Sequence, residues 1–258
     1  MEHGENSRRS FLKNTALLVG SAFALNACVG STSTADTKNN AGSYEGETGE
    51  NETKRPEEKD VTAAEDLMRE HGILRRALIV YSEAAVRLRR NTAEVPPDAL
   101  QKTAKLFRTF GEDYHEKQLE EAFIFPSVKK RGGEAARYSD ILVTQHDRGR
   151  DITDYITSVA NSPKIGANAG RLAEALDAFV RMYETHAAHE DTIVFPAWKD
   201  AISNYEYKEL SEKFEEIEHK TFGEDGFDDA VKQIAEIEGS LKMTDISQFT
   251  APVPPALQ

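Results

Sequence analysis

The chain has 258 residues, and its 32 Lys and Arg against 45 Asp and Glu give a net charge of −13. With 39% hydrophobic and 30% charged residues it can bury a core, but it is too polar for a bundle of membrane-spanning helices. The acidic balance argues against nucleic acid as a partner, because phosphate binding needs a basic face. The single cysteine excludes intramolecular disulfides, four-cysteine zinc sites and thiolate-held iron–sulfur clusters.

Residues 1–28 have the pattern of an export address rather than of a folded element. The run Ser7-Arg8-Arg9-Ser10-Phe11-Leu12-Lys13 resembles the twin-arginine signature. The apolar stretch from Thr15 to Ala27 is about 13 residues long, short of the ~20 that span a bilayer as a helix. It ends in Leu25-Asn26-Ala27-Cys28, which resembles a lipobox and implies lipidation of Cys28. The expected location is therefore the bacterial cell envelope, as a periplasm-facing lipoprotein whose membrane contact is its lipid anchor. Val29 in place of Asp after the cysteine leans towards the outer membrane. Residues 29–60 hold only Val29 and Tyr44 as bulky apolar residues, a composition expected of a disordered tether.

From Val61 the apolar spacing changes to about 3.6. Thr62-Ala63-Ala64-Glu65 reads as a capping box opening a first helix to about Arg90, with Leu67, His71, Leu74, Leu78, Tyr81, Ala85 and Leu88 on one stripe. Pro96-Pro97-Asp98 breaks the chain and caps a second helix carrying Leu100, Phe107, His115 and Phe123, expected to end or kink near Pro126. Gly132-Gly133 separates a third helix with Leu142, His146, Ile152 and Ile156. A fourth, with Leu172, Leu176, Phe179, Tyr183 and His186, runs towards Pro196. Ser203-Asn204-Tyr205-Glu206 caps a fifth, and Gly226 starts a short sixth ending near Leu241. Residues 61–241 thus predict an all-α domain, an up-down-up-down four-helix bundle with two short C-terminal helices, followed by a flexible tail at 242–258.

The first helix pair repeats in the second. Arg69-Glu70-His71 matches Thr144-Gln145-His146, and His115…Glu120-Glu121…Phe125-Pro126 matches His186…Glu190-Asp191…Phe195-Pro196, at offsets of 75, 71 and 70 residues. Such spacing predicts a pseudo-twofold bundle with equivalent positions facing one centre. Residues i and i+4 lie about 40° apart on a helix, so His186 and Glu190 project together on the core stripe. Four histidines, one per helix, with acids beside two of them, would need buried partners. A shared metal centre satisfies them together. Imidazole and carboxylate from four facing helices suit a non-haem dinuclear iron site, and Mn or Zn could take the same ligands.

On these residues, 62–240 resemble a hemerythrin-like, or HHE cation-binding, domain. The Glu-Glu…Phe-Pro ending of the second helix and its echo in the fourth are the specific parts. The run from Phe222 to Phe227 is similar to tails in the family. The resemblance implies His71, His115, His146 and His186 as terminal metal ligands and Glu190 as a bridging carboxylate. For the other bridge, the position four after His115 is Leu119, not an acid. Counting back from Phe125-Pro126 selects Glu120, which a regular helix turns about 140° away from His115, so that a π-type distortion is expected between residues 115 and 121. Glu116 and Glu121 are the alternatives. His189 is a candidate fifth nitrogen ligand or a hydrogen-bond partner of a bridging carboxylate, and Asp191 is a weaker candidate of the same kind. Tyr114 and Tyr183 are candidate hydrogen-bond donors around the site or core aromatics. Trp198 is expected to be a cap and Glu212 to Glu218 a solvated face, with His219 on the surface.

Oxygen-carrying hemerythrins have a second histidine four residues after the third-helix one, where this chain has Arg150. The resemblance is therefore closer to bacterial di-iron proteins linked to iron–sulfur repair and nitric oxide stress. The expected function is an envelope protein holding two iron ions that acts on or binds O2, NO or peroxide. An O2 or NO sensor, or an iron store without turnover, is the alternative, and a metal-free interaction module a third.

Overall fold

The computed structural model describes residues 61–160, 165–223 and 225–255. The export motif, Cys28 and the expected tether lie outside the described residues. Among those that are described there is no strand. Helix α1 (Ala63–Arg90) opens on the Thr62 capping box, with Glu65 and Asp66 in its first turn and Arg87, Arg89 and Arg90 in its last, the charge order that suits a helix dipole. Helix α2 (97–131) starts on Pro97 at its first position with no side-chain cap, so Asp98 sits in the first turn rather than capping it. Helix α3 spans Ala136–Ala160, and α4 spans 165–201. The shorter α5 (Asn204–Phe222) has the Ser203–Glu206 capping box, and α6 (Gly226–Ser240) follows.

The four long helices form the all-α bundle, with α1 packed along α4 and α2 along α3. Ala77, Ala84 and Ala85 are fully buried on α1 and leave room for its neighbours to approach. Below the histidines, Phe107 stands edge-on to Phe179 and Tyr183, each 4.8 Å between ring centroids, and Tyr81 edge-on to Phe179 at 5.4 Å. Such pairs are worth about 0.5–1.5 kcal/mol each beyond their buried area.

Neither α2 nor α4 stops at its Phe-Pro. Both run on through a π-helical stretch, Phe107–Ile124 in α2 and Glu190–Val194 in α4, and regain α geometry at Phe125–Arg131 and Phe195–Ala201. The N–H of Phe125 reaches the carbonyl of Glu120 and that of Phe195 the carbonyl of Glu190, five residues back. Pro126 and Pro196 have no N–H, and their rings crowd the carbonyl four residues earlier; widening the turn accommodates them without ending the helix.

The C-terminal part is more built into the core than its composition suggests. Trp198 is fully buried and stacks on Phe214, and Glu218 is buried and accepts the N–H of Phe227 at 2.8 Å. Trp198 is therefore core rather than cap, and the expected solvated face dips inward at Glu218. Phe222 packs edge-on against Tyr114, while Arg69 lies over the ring of Phe227. At Gly226 a Cβ would fall 2.2 Å from Cδ2 of Phe222, which explains the glycine inside that run. Ordered structure continues past 241. Lys242, in the left-handed region at φ 57°, and buried Met243 close α6 by bonding to the carbonyls of Gly239 and Glu238, and Ile246–Phe249 form a 3₁₀ turn. Residues 242–249, expected as the start of a flexible tail, thus hold a helix end and a 3₁₀ turn. No helix among the described residues is long and apolar enough to cross a membrane.

Candidate metal centre

His71 on α1, His115 on α2, His146 on α3 and His186 on α4 are all buried, and each turns Nε2 to the bundle axis. They meet in two pairs. His71 and His115 approach to 3.0 Å between Nε2 atoms, and so do His146 and His186. Glu120 and Glu190, both 0% exposed, span the pairs. Glu120 sets Oε1 3.4 Å from His115 Nε2 and Oε2 3.4 Å from His146 Nε2. Glu190 sets Oε2 3.5 Å from His71 Nε2 and Oε1 3.0 Å from His186 Nε2. The structure thus gathers all six residues singled out in the sequence. It brings Glu120 inward through the π stretch, where the inward positions 107, 111, 115, 120 and 124 recur every four to five residues. Glu116 and Glu121 take other places.

Behind each imidazole stands an acceptor for its Nδ1. Glu70 holds His115 at 2.7 Å, Asp191 holds His71 at 2.7 Å, Glu121 holds His146 at 2.9 Å, and Gln145 holds His186 at 2.9 Å. Donation from Nδ1 leaves every Nε2 with a lone pair aimed at the centre. The pseudo-twofold extends to this layer. Glu70 and Gln145 immediately precede His71 and His146; Glu121 and Asp191 immediately follow the two spanning glutamates. Outside them Arg75 pairs with Asp191, and Arg150 with Glu121 at 2.8 Å. Arg75 and Arg150 are themselves four residues after His71 and His146. Glu70, Arg75 and Gln145 are missed as site residues by a search for histidine–acid spacing, although the repeat offset of 75 pointed at all three.

Tyr114 donates to Glu70 at 3.1 Å and Tyr183 to Glu116 at 2.8 Å, so both tyrosines serve residues beside the histidines. Gly149 makes room for the second bond, since a Cβ there would lie 2.0 Å from the Tyr183 hydroxyl. His189 does not join the site. It is only half-buried, its Nδ1 bonds to the Thr185 carbonyl, and its ring lies against Tyr138, because one residue before Glu190 the helix turns it outward. Asp191 acts on His71 from behind. Exposed His219 lies away from the centre, as expected.

The four oxygens of Glu120 and Glu190 are buried with no hydrogen-bond partner. Two pairs of imidazole lone pairs face one another 3.0 Å apart. Buried groups of this kind are costly unless a cation lies among them. Electrostatics agree. Burial pulls the His146 imidazole down, but Glu116, Glu121, Glu120 and Glu190 outweigh it and hold it up at about 9. Burial also opposes His115, and the charges of Glu120 and Glu70 overcome it to raise that ring well above its usual range. Burial and the charge of Glu190 push Glu120 up, whereas His186 and His71 overcome burial to hold Glu190 below the usual carboxylate range. Positive charge is favoured here, as protons on imidazoles or as metal that displaces them. The donor set fits a metal pair: nitrogens in two twos, with two carboxylates each reaching both. A small cavity adjoins His71, His115 and His186, with Leu74, Leu78, Tyr183 and Ala187 on one side and Arg75, Glu116, Glu120 and Glu190 also on its wall.

The hemerythrin HHE cation binding domain matches residues 62–197 and again 137–243, the second match starting at α3, where the internal repeat begins. Uncharacterized proteins of Mycobacterium bovis and of two Mycobacterium tuberculosis strains are each 40% identical over 245 residues, covering 94% of this chain and 90% of the relative. No solved structure matches.

Proposed function

The chain belongs to the hemerythrin HHE cation-binding family, and on that premise we propose that it holds two iron ions and acts on or binds a small molecule such as O2, NO or peroxide at the cell envelope. The observation that carries the reading is the set of four partnerless carboxylate oxygens between two facing histidine pairs. His71 and His115 would hold one ion and His146 and His186 the other, with Glu120 and Glu190 shared. Held there, two iron ions would supply redox chemistry that the protein's own side chains lack.

The protein's own residues do the rest. Glu70, Asp191, Glu121 and Gln145 fix ring orientation and tautomer, so that no imidazole must turn when metal arrives. Leu74, Leu78 and Ala187 close one side of the adjoining cavity and keep it small, which favours a small molecule over a bulky substrate. Tyr183 keeps its hydroxyl proton at the cavity wall. Burial and the charges of Glu116 and Glu112 raise it well above the ordinary phenol range, so it stays a donor at physiological pH. The Arg8-Arg9 signature and the lipobox at Cys28 support an envelope location through a lipid anchor. Export by the twin-arginine route suits a centre loaded before the folded protein crosses the membrane.

Metal analysis and the visible spectrum of protein purified without added metal test the reading. About two iron atoms per chain with charge-transfer absorption are expected. In cells the iron-bearing protein should sediment with membranes and be released by Cys28→Ser. Fewer than one metal per chain after anaerobic iron loading would remove the di-iron reading.

A further inference from the structure

The layer behind the histidines breaks the twofold symmetry that the rest of the centre keeps. In the α1/α2 half, both imidazoles donate to a carboxylate, His71 to Asp191 and His115 to Glu70. In the α3/α4 half, His146 donates to Glu121, but His186 donates to the neutral carboxamide of Gln145, which stands at the repeat position of Glu70. A carboxylate behind an imidazole makes the far nitrogen a stronger metal donor, and removing such a partner typically lowers metal affinity about 10–100-fold. Glu116 brings another negative charge near the second half, 3.9 Å from His146 Nδ1. Its oxygens are engaged elsewhere, one by the Tyr183 hydroxyl at 2.8 Å and the other 3.3 Å from the Arg150 guanidinium, so it does not back an imidazole. Arg75 and Arg150 each neutralise one outer carboxylate, one per half, and do not alter the comparison.

We infer that the two metal positions are inequivalent: the His71/His115 position binds more tightly, the His146/His186 position less tightly, and Gln145 is the positioning residue that makes the difference. The inference rests on the dinuclear reading above. The adjoining cavity is bordered by both histidines of the tighter position, His71 and His115, and by His186 of the other.

The test is a metal-occupancy measurement that does not depend on turnover. Apoprotein crystallised with one equivalent of Zn(II) per chain should show unequal anomalous peaks. A tenfold affinity ratio between independent positions places about three-quarters of the zinc in the His71/His115 position. Gln145→Glu supplies the missing carboxylate with the same shape and should bring the peaks to near equality. Glu70→Gln, which keeps an acceptor for His115 and a partner for Tyr114, should do the same by weakening the favoured half. Equal peaks in the wild type, or an unchanged ratio in both variants, would overturn the inference while leaving two metals in place. A single position that stays single with excess Zn(II) would overturn the dinuclear reading beneath it.

Discussion

Glu112 lies one turn before Glu116 on the inward side of α2, with its side chain wholly buried, and serves no imidazole. Thr153 donates to it at 2.5 Å and Arg108 Nε lies 2.9 Å away. Burial is the main force on it, joined by the charge of Glu116; together they outweigh Thr153, Arg108 and Arg150 and push its carboxyl up to about 7 from 4.5. A raised carboxyl stabilises the fold while protonated. That stability is complete below about pH 4.5 and is lost as pH rises through 7, because the unfolded chain gives up its proton first. The difference amounts to about 3 kcal/mol at most. Glu112→Gln keeps an acceptor for Thr153 and cannot ionise, and Arg108 retains Asp154 at 2.5 Å. Chemical denaturation of the apoprotein at pH 5 and pH 8 should therefore show a smaller fall in stability for the variant, by about 2–3 kcal/mol. Equal falls in the two proteins would mean that Glu112 does not ionise in this range.

At the scale of elements, the parts with regular period were legible and the parts that depart from it were not. The α1 stripe from Leu67 to Leu88 is buried throughout, as a 3.6 period requires, and both capping boxes form as their spacing implies. The six centre residues could be found because the repeat places them at equivalent positions. The length of the π stretch could not, since Phe-Pro and the His115–Glu120 gap signal an extra residue in one turn, whereas the structure widens 18 residues. The roles of Gln145 and Glu70 were not legible, although the repeat pairs them, because an outer hydrogen bond to a neighbouring helix leaves no spacing pattern within its own helix. The ordered segment after Leu241 depends on one backbone conformation that a polar composition conceals. Lys242 adopts φ 57° where a helix end of this kind prefers glycine. Its side chain is exposed, so Lys242→Gly should relieve the left-handed conformation and raise stability by about 0.5–1 kcal/mol, measured as a shift in denaturation midpoint with unchanged slope. A loss of stability would show that the lysine side chain contributes more than its backbone conformation costs.

For the whole molecule, the centre sets a polar cluster where a bundle of this kind would gain most from apolar packing. Four imidazoles, two spanning carboxylates and their outer partners occupy the space between all four long helices. The Phe107, Phe179, Tyr183 and Tyr81 cluster below and the Trp198–Phe214 stack towards α5 carry the fold past it. Metal that binds only the folded bundle adds RT ln(1 + [L]/Kd), about 4 kcal/mol at a thousandfold excess over Kd. For a domain of this size that corresponds to roughly 10 °C in melting temperature. Chelation of the loaded protein should lower its melting temperature by about that amount. His186→Ala removes the donor that Gln145 orients, and Glu190→Ala removes a carboxylate placed to serve both positions; each should melt below the loaded wild type and respond less to chelator. The sharper comparison is between the two: Glu190→Ala should abolish binding at both positions, whereas His186→Ala should leave the His71/His115 position partly filled and keep part of the chelator response. If both variants retain the full wild-type response, these residues do not hold the metal.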